Sequence, residues 1–416
     1  MKITVLTLGC KVNQSESDKI EGILIQQGHS IVDLPEQPDY CVINTCTVTA
    51  KSDYQSRQLI RRAHRAGARI IATGCYATLN HNKISTMDGI EYVVNNNNKM
   101  NIINLIDNTI KSNSSYYSQR SRPYIKVQDG CNHVCSYCII PRARGKSKSI
   151  HESKIIEHIK ILENKGFCEI VLTGIHIGSY GKDLSTRTNL STLVRNIIKK
   201  TGIPRIRISS LQINDISDEF LEVLMEKRIC NHLHLPLQSG SDMILKKMNR
   251  PYTSKKYTQT IEEILGRIPG IAIGTDVIAG FPGEDNDQFK STFDLLKRLP
   301  FAYIHVFPYS QRPGTTASCI KEQIPFQTKK ARVKKITTLS IEKRAEYASY
   351  QINKVHDVII ESNKNNLYYI GCTGNYQKVK LSMREKELLP KELVNVRITG
   401  REGDLLKGDL LTTNPE

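Results

Sequence analysis

Short apolar runs alternate with helical patterns along most of this sequence, and that alternation narrows the possible folds more than any other feature. In the first part, KITVLTL, YCVINTC and RIIATGC are apolar runs of strand length. Helical patterns follow them, from about Ser17 to Gln27 and through Arg65. Strand-then-helix repeats of this kind read as a parallel α/β sheet. Each run delivers a cysteine at or just beyond its C-terminal end: Cys10, Cys46 and Cys75. Ligands of open α/β sheets bind at that edge. A single buried cysteine is ordinary packing, and Cys41, inside a strand, is read that way. Three at equivalent strand ends are harder to dismiss as packing.

An Asn- and Ser-rich stretch follows, and a linker is expected near residues 113–122. The second part, 123–345, repeats the alternation: PYIKVQ, CEIVLT, RIRIS, NHLHL, IAIGTDV and YIHVF are strand-like, with helical patterns between them. Six such units predict a partial or open (β/α)6 barrel, with function at the C-terminal strand ends. The third part, 350–416, holds VHDVIIE, NLYYIGC, YQKVKLSM, LVNVRITG and LKGDLLTT, which suggest a small antiparallel β-barrel. Its bland reading is a structural cap. The expected class is therefore α/β throughout the first two parts, 1–112 and 123–345, closed by a small barrel.

CNHVCSYC, just after the first strand of the second part, packs Cys131, Cys135 and Cys138 into eight residues. A structural zinc site wants four protein ligands, usually as two separated pairs. No second pair lies nearby, and His133 sits awkwardly between two of the thiols. A 4Fe-4S cluster held by three cysteines instead leaves one iron open. That iron suits the amine and carboxylate of S-adenosylmethionine (SAM). An electron passed to the sulfonium then splits a carbon–sulfur bond and yields a primary radical. C-x3-C-x2-C at this place in a βα barrel, with Tyr137 before the last cysteine, is the radical-SAM signature. On that basis Cys10, Cys46 and Cys75 are candidates for a second cluster.

Composition agrees. Eleven cysteines in 416 residues, an odd count with a tight trio, suit a reducing cytosol and metal binding better than a disulfide framework. The net charge of +18 favours polyanionic partners, or else a lysine-rich surface that is simply solvated. No apolar run is long enough to cross a membrane, so a soluble, cytoplasmic protein is expected, with no demand for more than a monomer.

The motifs, taken together, resemble the radical-SAM methylthiotransferase family along nearly the whole chain. TLGCKVNQSES, INTCTVT and ATGCYA resemble its N-terminal cluster motifs. CNHVCSYCIIPRARG resembles its radical-SAM loop, and VLTGIHIGSYG, RISSLQ, HLPLQSGSD and GTDVIAGFPGE its core. The C-terminal barrel resembles its RNA-binding TRAM domain. GCKVNQ looks most like the MtaB-type branch, which acts on N6-threonylcarbamoyladenosine beside the tRNA anticodon. The branches acting on isopentenyladenosine or on a ribosomal-protein aspartate usually read differently after GC.

The resemblance implies two 4Fe-4S clusters and two SAM molecules. One SAM would methylate a sulfur held at the Cys10, Cys46 and Cys75 cluster. The other, on the Cys131, Cys135 and Cys138 cluster, would yield the radical that removes the hydrogen from C2 of the adenine. It also implies tRNA as partner, a sulfur donor, and an electron donor such as flavodoxin or ferredoxin. SAM contacts carried over by motif are Tyr137, Thr173, Gly174, Ser209, Ser210, Gln238, Gly280, Gly283 and Glu284. LQIND departs from the proline expected after LQ, at Ile213.

Candidate phosphate contacts are Arg142, Arg144, Lys146 and Lys148, after the cluster loop, and Arg57, Arg61, Arg62 and Arg65, after Cys46. Tyr368, Tyr369 and Tyr376 are candidates for base stacking, against half-buried packing. Cys168, Cys230, Cys319 and Cys372 read as packing residues. Two other readings carry different tests: the same chemistry on a protein side chain, told apart by its product, and a non-catalytic RNA-binding redox sensor, excluded by SAM cleavage.

Overall fold

The computed structural model describes residues 1–107, 118, 120–364, 367–382 and 387–411. The expected linker at 113–122 falls mostly outside them. The first part is a five-stranded parallel sheet of β1 (Lys2–Thr7), β2 (Ser30–Ile31), β3 (Tyr40–Thr45), β4 (Arg69–Gly74) and β5 (Ile90–Val94), in the order β2-β1-β3-β4-β5. Register places Thr7 beside Asn44 and Thr45 beside Gly74, so the three strands end together. Ile43, Ile70 and Ile71 are fully buried between the helical layers. Each such side chain contributes about 1.5–3 kcal/mol on burial.

Helix α1 runs Lys11–Gln26, several residues earlier than its apolar periodicity suggests. Its first turns bury Asn13, Ser15, Glu16, Ser17 and Asp18. Those polar side chains hide the helical period from a hydrophobicity reading. Helix α2 (Ala50–Arg65) starts at Thr49, whose hydroxyl accepts the Ser52 N–H.

The central part opens with β6 (Tyr124–Lys126) and a short antiparallel pair, β7 (Gln128–Asp129) and β8 (Lys148–Ser149), that frames the cysteine loop. Then come β9 (Glu169–Thr173), β10 (Arg205–Ile208), β11 (His232–His234), β12 (Ala272–Ala279) and β13 (Tyr303–Pro308). Two three-stranded parallel sheets, β10-β9-β6 and β11-β12-β13, meet through a bridge between Ile206 and Ile229. The result is the open, six-stranded βα barrel that the spacing predicts. The long helix Phe326–Ser349 packs along β13, where the Ser340 hydroxyl donates to the Ile304 carbonyl at 2.7 Å.

The chain ends in a closed barrel of β14 (Val355–Lys364), β15 (Tyr368–Thr373), β16 (Lys378–Ser382), β17 (Leu393–Glu402) and β18 (Leu405–Leu410), in the order β14-β15-β16-β18-β17. It docks against the N-terminal ends of the central strands. Arg205 donates to the Asp357 carbonyl at 3.0 Å, and Arg207 to those of Gly374 and Thr373 at 2.9 and 3.0 Å. Glu169 lies fully buried between these arginines, 2.6 Å from Arg205 and 2.7 Å from Arg207. Among the described residues no helix is long and apolar enough to cross a membrane.

Candidate active site

Two backbone turns place the N-terminal thiols. Gly9 has φ +99°, and a Cβ there would lie 2.9 Å from the Cys46 Sγ. Gly74 has φ +96°, and a Cβ would meet the Thr45 carbonyl at 2.3 Å. Only glycine tolerates both the conformation and the contact. These turns let Cys10 cap α1 and let Cys75 open the short helix α3 (Cys75–Leu79), so both converge on Cys46. Cys10 is accessible to solvent because it faces a cavity, yet protein surrounds it. Burial raises the Cys10 thiol above its ordinary range against the pull of Arg144, and burial raises Cys46 as well. Neutral thiols in this setting become thiolates only when a cation draws them.

The second trio sits in a tightly held loop. Ser136 donates its hydroxyl to the Lys247 carbonyl at 2.7 Å and its N–H to that of Met248 at 3.1 Å. Each of two thiols receives an N–H: Cys131 Sγ from the His133 backbone at 3.4 Å, and Cys135 Sγ from Arg250 at 3.3 Å. Burial pushes Cys138 up to about 12. His176 lies beside Cys131. Burial pulls its imidazole down, but hydrogen bonds to Asp215, at 3.0 Å, and to Cys131 outweigh this and lift it to about 9. In the first trio the Asn96 amide plays the donor role, 3.7 Å from Cys75 Sγ.

Among the described residues, no three His, Cys, Asp or Glu side chains converge closely enough to hold a single metal ion. The zinc alternative loses its fourth ligand too, since the His133 ring packs edge-on against His176 at 4.5 Å. A cubane seats each thiolate on a different iron, which needs a wider triangle of thiols and gains from N–H donors to sulfur. Both trios have N–H donors to sulfur.

Cys10 of the first trio and all three thiols of the second line one cavity of about 430 Å³. Cys10, Cys131, Cys135 and Cys138 all line it, with Lys11, Val48, His133, Tyr137, Ile140, Thr173, Gly174, Ile175, Ser209, Ser210, Gln212 and Arg250. Ser209 is buried and its hydroxyl has no hydrogen-bond partner, an open position for a polar ligand atom. A larger cavity of about 840 Å³ lies between the helices Glu152–Asn164 and Leu190–Lys200. It holds no thiol and no strand end, so chemistry rather than size selects the smaller one.

The other carried-over contacts lie elsewhere. Gln238 has φ +65° and bridges to β12 through its backbone, where its N–H donates to the Asp276 carbonyl at 2.8 Å. Glu284 is buried and accepts the Gly280 N–H at 2.7 Å and Arg332 at 2.8 Å. Gly280, Gly283 and Glu284 thus form a stitched turn outside the cavity lining.

Several sequence expectations need correction. Arg144 is buried, not a phosphate ligand: it binds Glu16 and Asp129 at 3.0 and 2.8 Å. The Arg57 guanidinium turns inward to the Tyr76 hydroxyl at 2.8 Å. Arg61, Arg62, Arg65, Arg142, Lys146 and Lys148 are exposed. Tyr369 is buried with its hydroxyl accepting the Leu388 N–H, and Tyr376 packs against His232 at the barrel junction. Tyr368 is half-buried beneath the Lys380 ammonium. Cys319 is exposed and Cys168 half-buried, so packing describes Cys41, Cys230 and Cys372 alone.

Sequence reasoning missed Lys11, His176, Gln212, Asp215 and Arg250. Only Lys11 carried a local signal, its place beside Cys10. It also missed the interactions that seat the first sheet on the barrel. Glu16 binds Lys99, Lys126 and Arg144, and Arg312 binds Thr47 and Asp53, both at 2.7 Å.

Residues 125–296 match the radical SAM superfamily, and residues 2–95 match a family described as "Uncharacterized protein family UPF0004". A protein of Aquifex aeolicus named threonylcarbamoyladenosine tRNA methylthiotransferase MtaB is 39% identical over 91% of this chain and 96% of its own length. A Bacillus subtilis protein of the same name is 38% identical over 90% of this chain and 88% of its own. A Thermodesulfovibrio yellowstonii protein named tRNA-2-methylthio-N(6)-dimethylallyladenosine synthase is 32% identical over 99% of both chains. Among solved structures, the radical SAM methyltransferase TsrM of Kitasatospora setae superposes with a TM-score of 0.58. It is 14% identical and covers 76% of this chain and 77% of its own, which speaks to fold alone. The identities extend over nearly the whole of this chain and of the relatives alike, and so the chain belongs to the radical-SAM methylthiotransferase family of enzymes, which use 4Fe-4S clusters and SAM.

Proposed function

We propose that this enzyme adds a methylthio group to C2 of N6-threonylcarbamoyladenosine next to the anticodon of tRNA. Cys131, Cys135 and Cys138 hold the cluster that binds SAM, and Cys10, Cys46 and Cys75 hold the auxiliary cluster. The observation that carries this reading is the shared cavity: Cys10 of the auxiliary trio faces the same space as Cys131, Cys135 and Cys138. When loaded, the two clusters and SAM supply a primary carbon radical and a methylthio group, which an aromatic C–H demands because it is a poor acid and a poor electrophile.

The chain's own residues hold and shield that chemistry. Val48, Ile140, Ile175 and the Tyr137 ring form the apolar wall that keeps water from a reactive carbon. Ser209, Ser210, Thr173 and Gly174 offer polar contacts to SAM at strand ends. Arg250 and His133 donate N–H groups to thiol sulfur, and such donors tune a cluster's potential. The regions act as a cluster-bearing domain to residue 112, a radical-SAM core over 123–345 and an RNA-binding barrel from 350. The protein works as a cytoplasmic monomer, drawing on separate sulfur and electron donors.

A second reading takes isopentenyladenosine as the base; the name and 32% identity of the Thermodesulfovibrio relative favour it. Mass spectrometry of tRNA nucleosides separates the two. The expected result is loss of 2-methylthio-N6-threonylcarbamoyladenosine on gene deletion, restored by wild type but not by Cys10→Ala or Cys135→Ala. Unchanged 2-methylthio nucleosides would refute the tRNA assignment and move the search to ribosomal proteins.

A further inference from the structure

Lys11 is the first residue of α1, directly after Cys10, and lines the shared cavity. Among the described residues its Nζ makes no hydrogen bond and no ion pair; the nearest aromatic ring, that of Tyr376, is centred 5.8 Å away. Two guanidinium groups stand over the same Tyr376 ring, Arg207 at 5.1 Å and Arg122 at 5.6 Å. Both are already engaged, Arg207 by Glu169 at 2.7 Å and Arg122 by Glu361 at 2.5 Å. Of these three cations Lys11 is the one with no ion pair among the described residues, and it is the one whose residue lines the cavity. A half-buried ammonium beside two other cations is unfavourable until an anion joins it.

The two candidate nucleosides differ there by one charge. A threonylcarbamoyl arm carries a carboxylate, and a dimethylallyl arm is neutral and apolar. We infer that Lys11 receives the carboxylate of the substrate's amino-acid arm and so selects that nucleoside over an apolar one. This rests on the tRNA reading above and deepens it. SAM also carries a carboxylate, so the test must tell the two sources apart.

The probes are an anticodon stem-loop bearing threonylcarbamoyladenosine and the same stem-loop with the carboxylate as its methyl ester. Phosphate contacts are common to both and cancel in the comparison. Iron and sulfide are assayed first, so that a lost cluster is not mistaken for lost binding. Wild type should bind the acid about 10- to 100-fold more tightly than the ester, the range for a charged hydrogen bond. Lys11→Met should bind both as wild type binds the ester, and Lys11→Arg should keep most of the preference. Equal affinity of wild type for acid and ester would overturn the inference. So would a Lys11→Met variant that still prefers the acid while its KM for SAM rises, which would place Lys11 on the SAM carboxylate. If wild type discriminates acid from ester yet makes no methylthio product from the acid, the inference stands and the proposed reaction falls.

Discussion

Replacing Glu169 by glutamine should loosen the C-terminal barrel from the core, by an amount the structure sets. Glu169 is fully buried and faces Arg205, Arg207 and Arg122 at 2.6, 2.7 and 3.5 Å. Burial works against its charge, but Arg207, Arg205 and Arg122 together bring its carboxyl from 4.5 to about 2. At about 1.36 kcal/mol for each tenfold preference, the folded state favours the ionised form by about 3 kcal/mol. Breaking a buried ion pair by removing one partner costs a similar amount, about 3–5 kcal/mol. The chain has no tryptophan, so hydrogen exchange is the better assay. Amides of Thr373 and Tyr376, whose turn sits against Arg207, should lose protection by about two orders of magnitude at neutral pH, that free energy written as an exchange ratio. The pH sign follows from the depressed folded value. The stabilisation is complete above about 4.5, fades as pH falls toward 2, and is absent from the glutamine variant. Equal protection in both proteins at pH 7, or the same acid profile in both, would refute the assignment of Glu169 as the hub of this junction.

Other outcomes follow from the site. Cys10→Ala should lose about half of the iron and abolish methylthio transfer while SAM cleavage persists, whereas Cys135→Ala should abolish SAM cleavage; iron assay and product chromatography read both. Arg250→Met removes the N–H on Cys135 Sγ and should make that cluster's potential more negative in a redox titration, because donors to sulfur favour the reduced cluster. Alanine at Arg61, Arg62 and Arg65 should weaken tRNA binding without sequence preference. In a salt titration the slope should fall by roughly 0.9 for each phosphate the variant no longer neutralises. Glu16→Gln should cost about 3–5 kcal/mol by leaving Lys99, Lys126 and Arg144 without their shared carboxylate, measured by denaturant unfolding.

Periodicity and spacing, which are local, were sufficient for much of this protein. The strand runs ending at Cys10, Cys46 and Cys75 required a parallel sheet with thiols at one edge, and parallel register did the rest. C-x3-C-x2-C required three thiols in one loop whatever the distant chain does. Tertiary structure decided what sequence distance hides. The start of α1 was obscured because its buried polar face is satisfied by Lys99, Lys126 and Arg144, residues far along the chain. Arg144 looked like a surface residue because the groups that bury it lie elsewhere in the sequence. Above all, no local pattern could bring Cys10 to the cavity of Cys131, Cys135 and Cys138. That meeting depends on long-range packing of one α/β unit on another, held by Glu16 and Arg312.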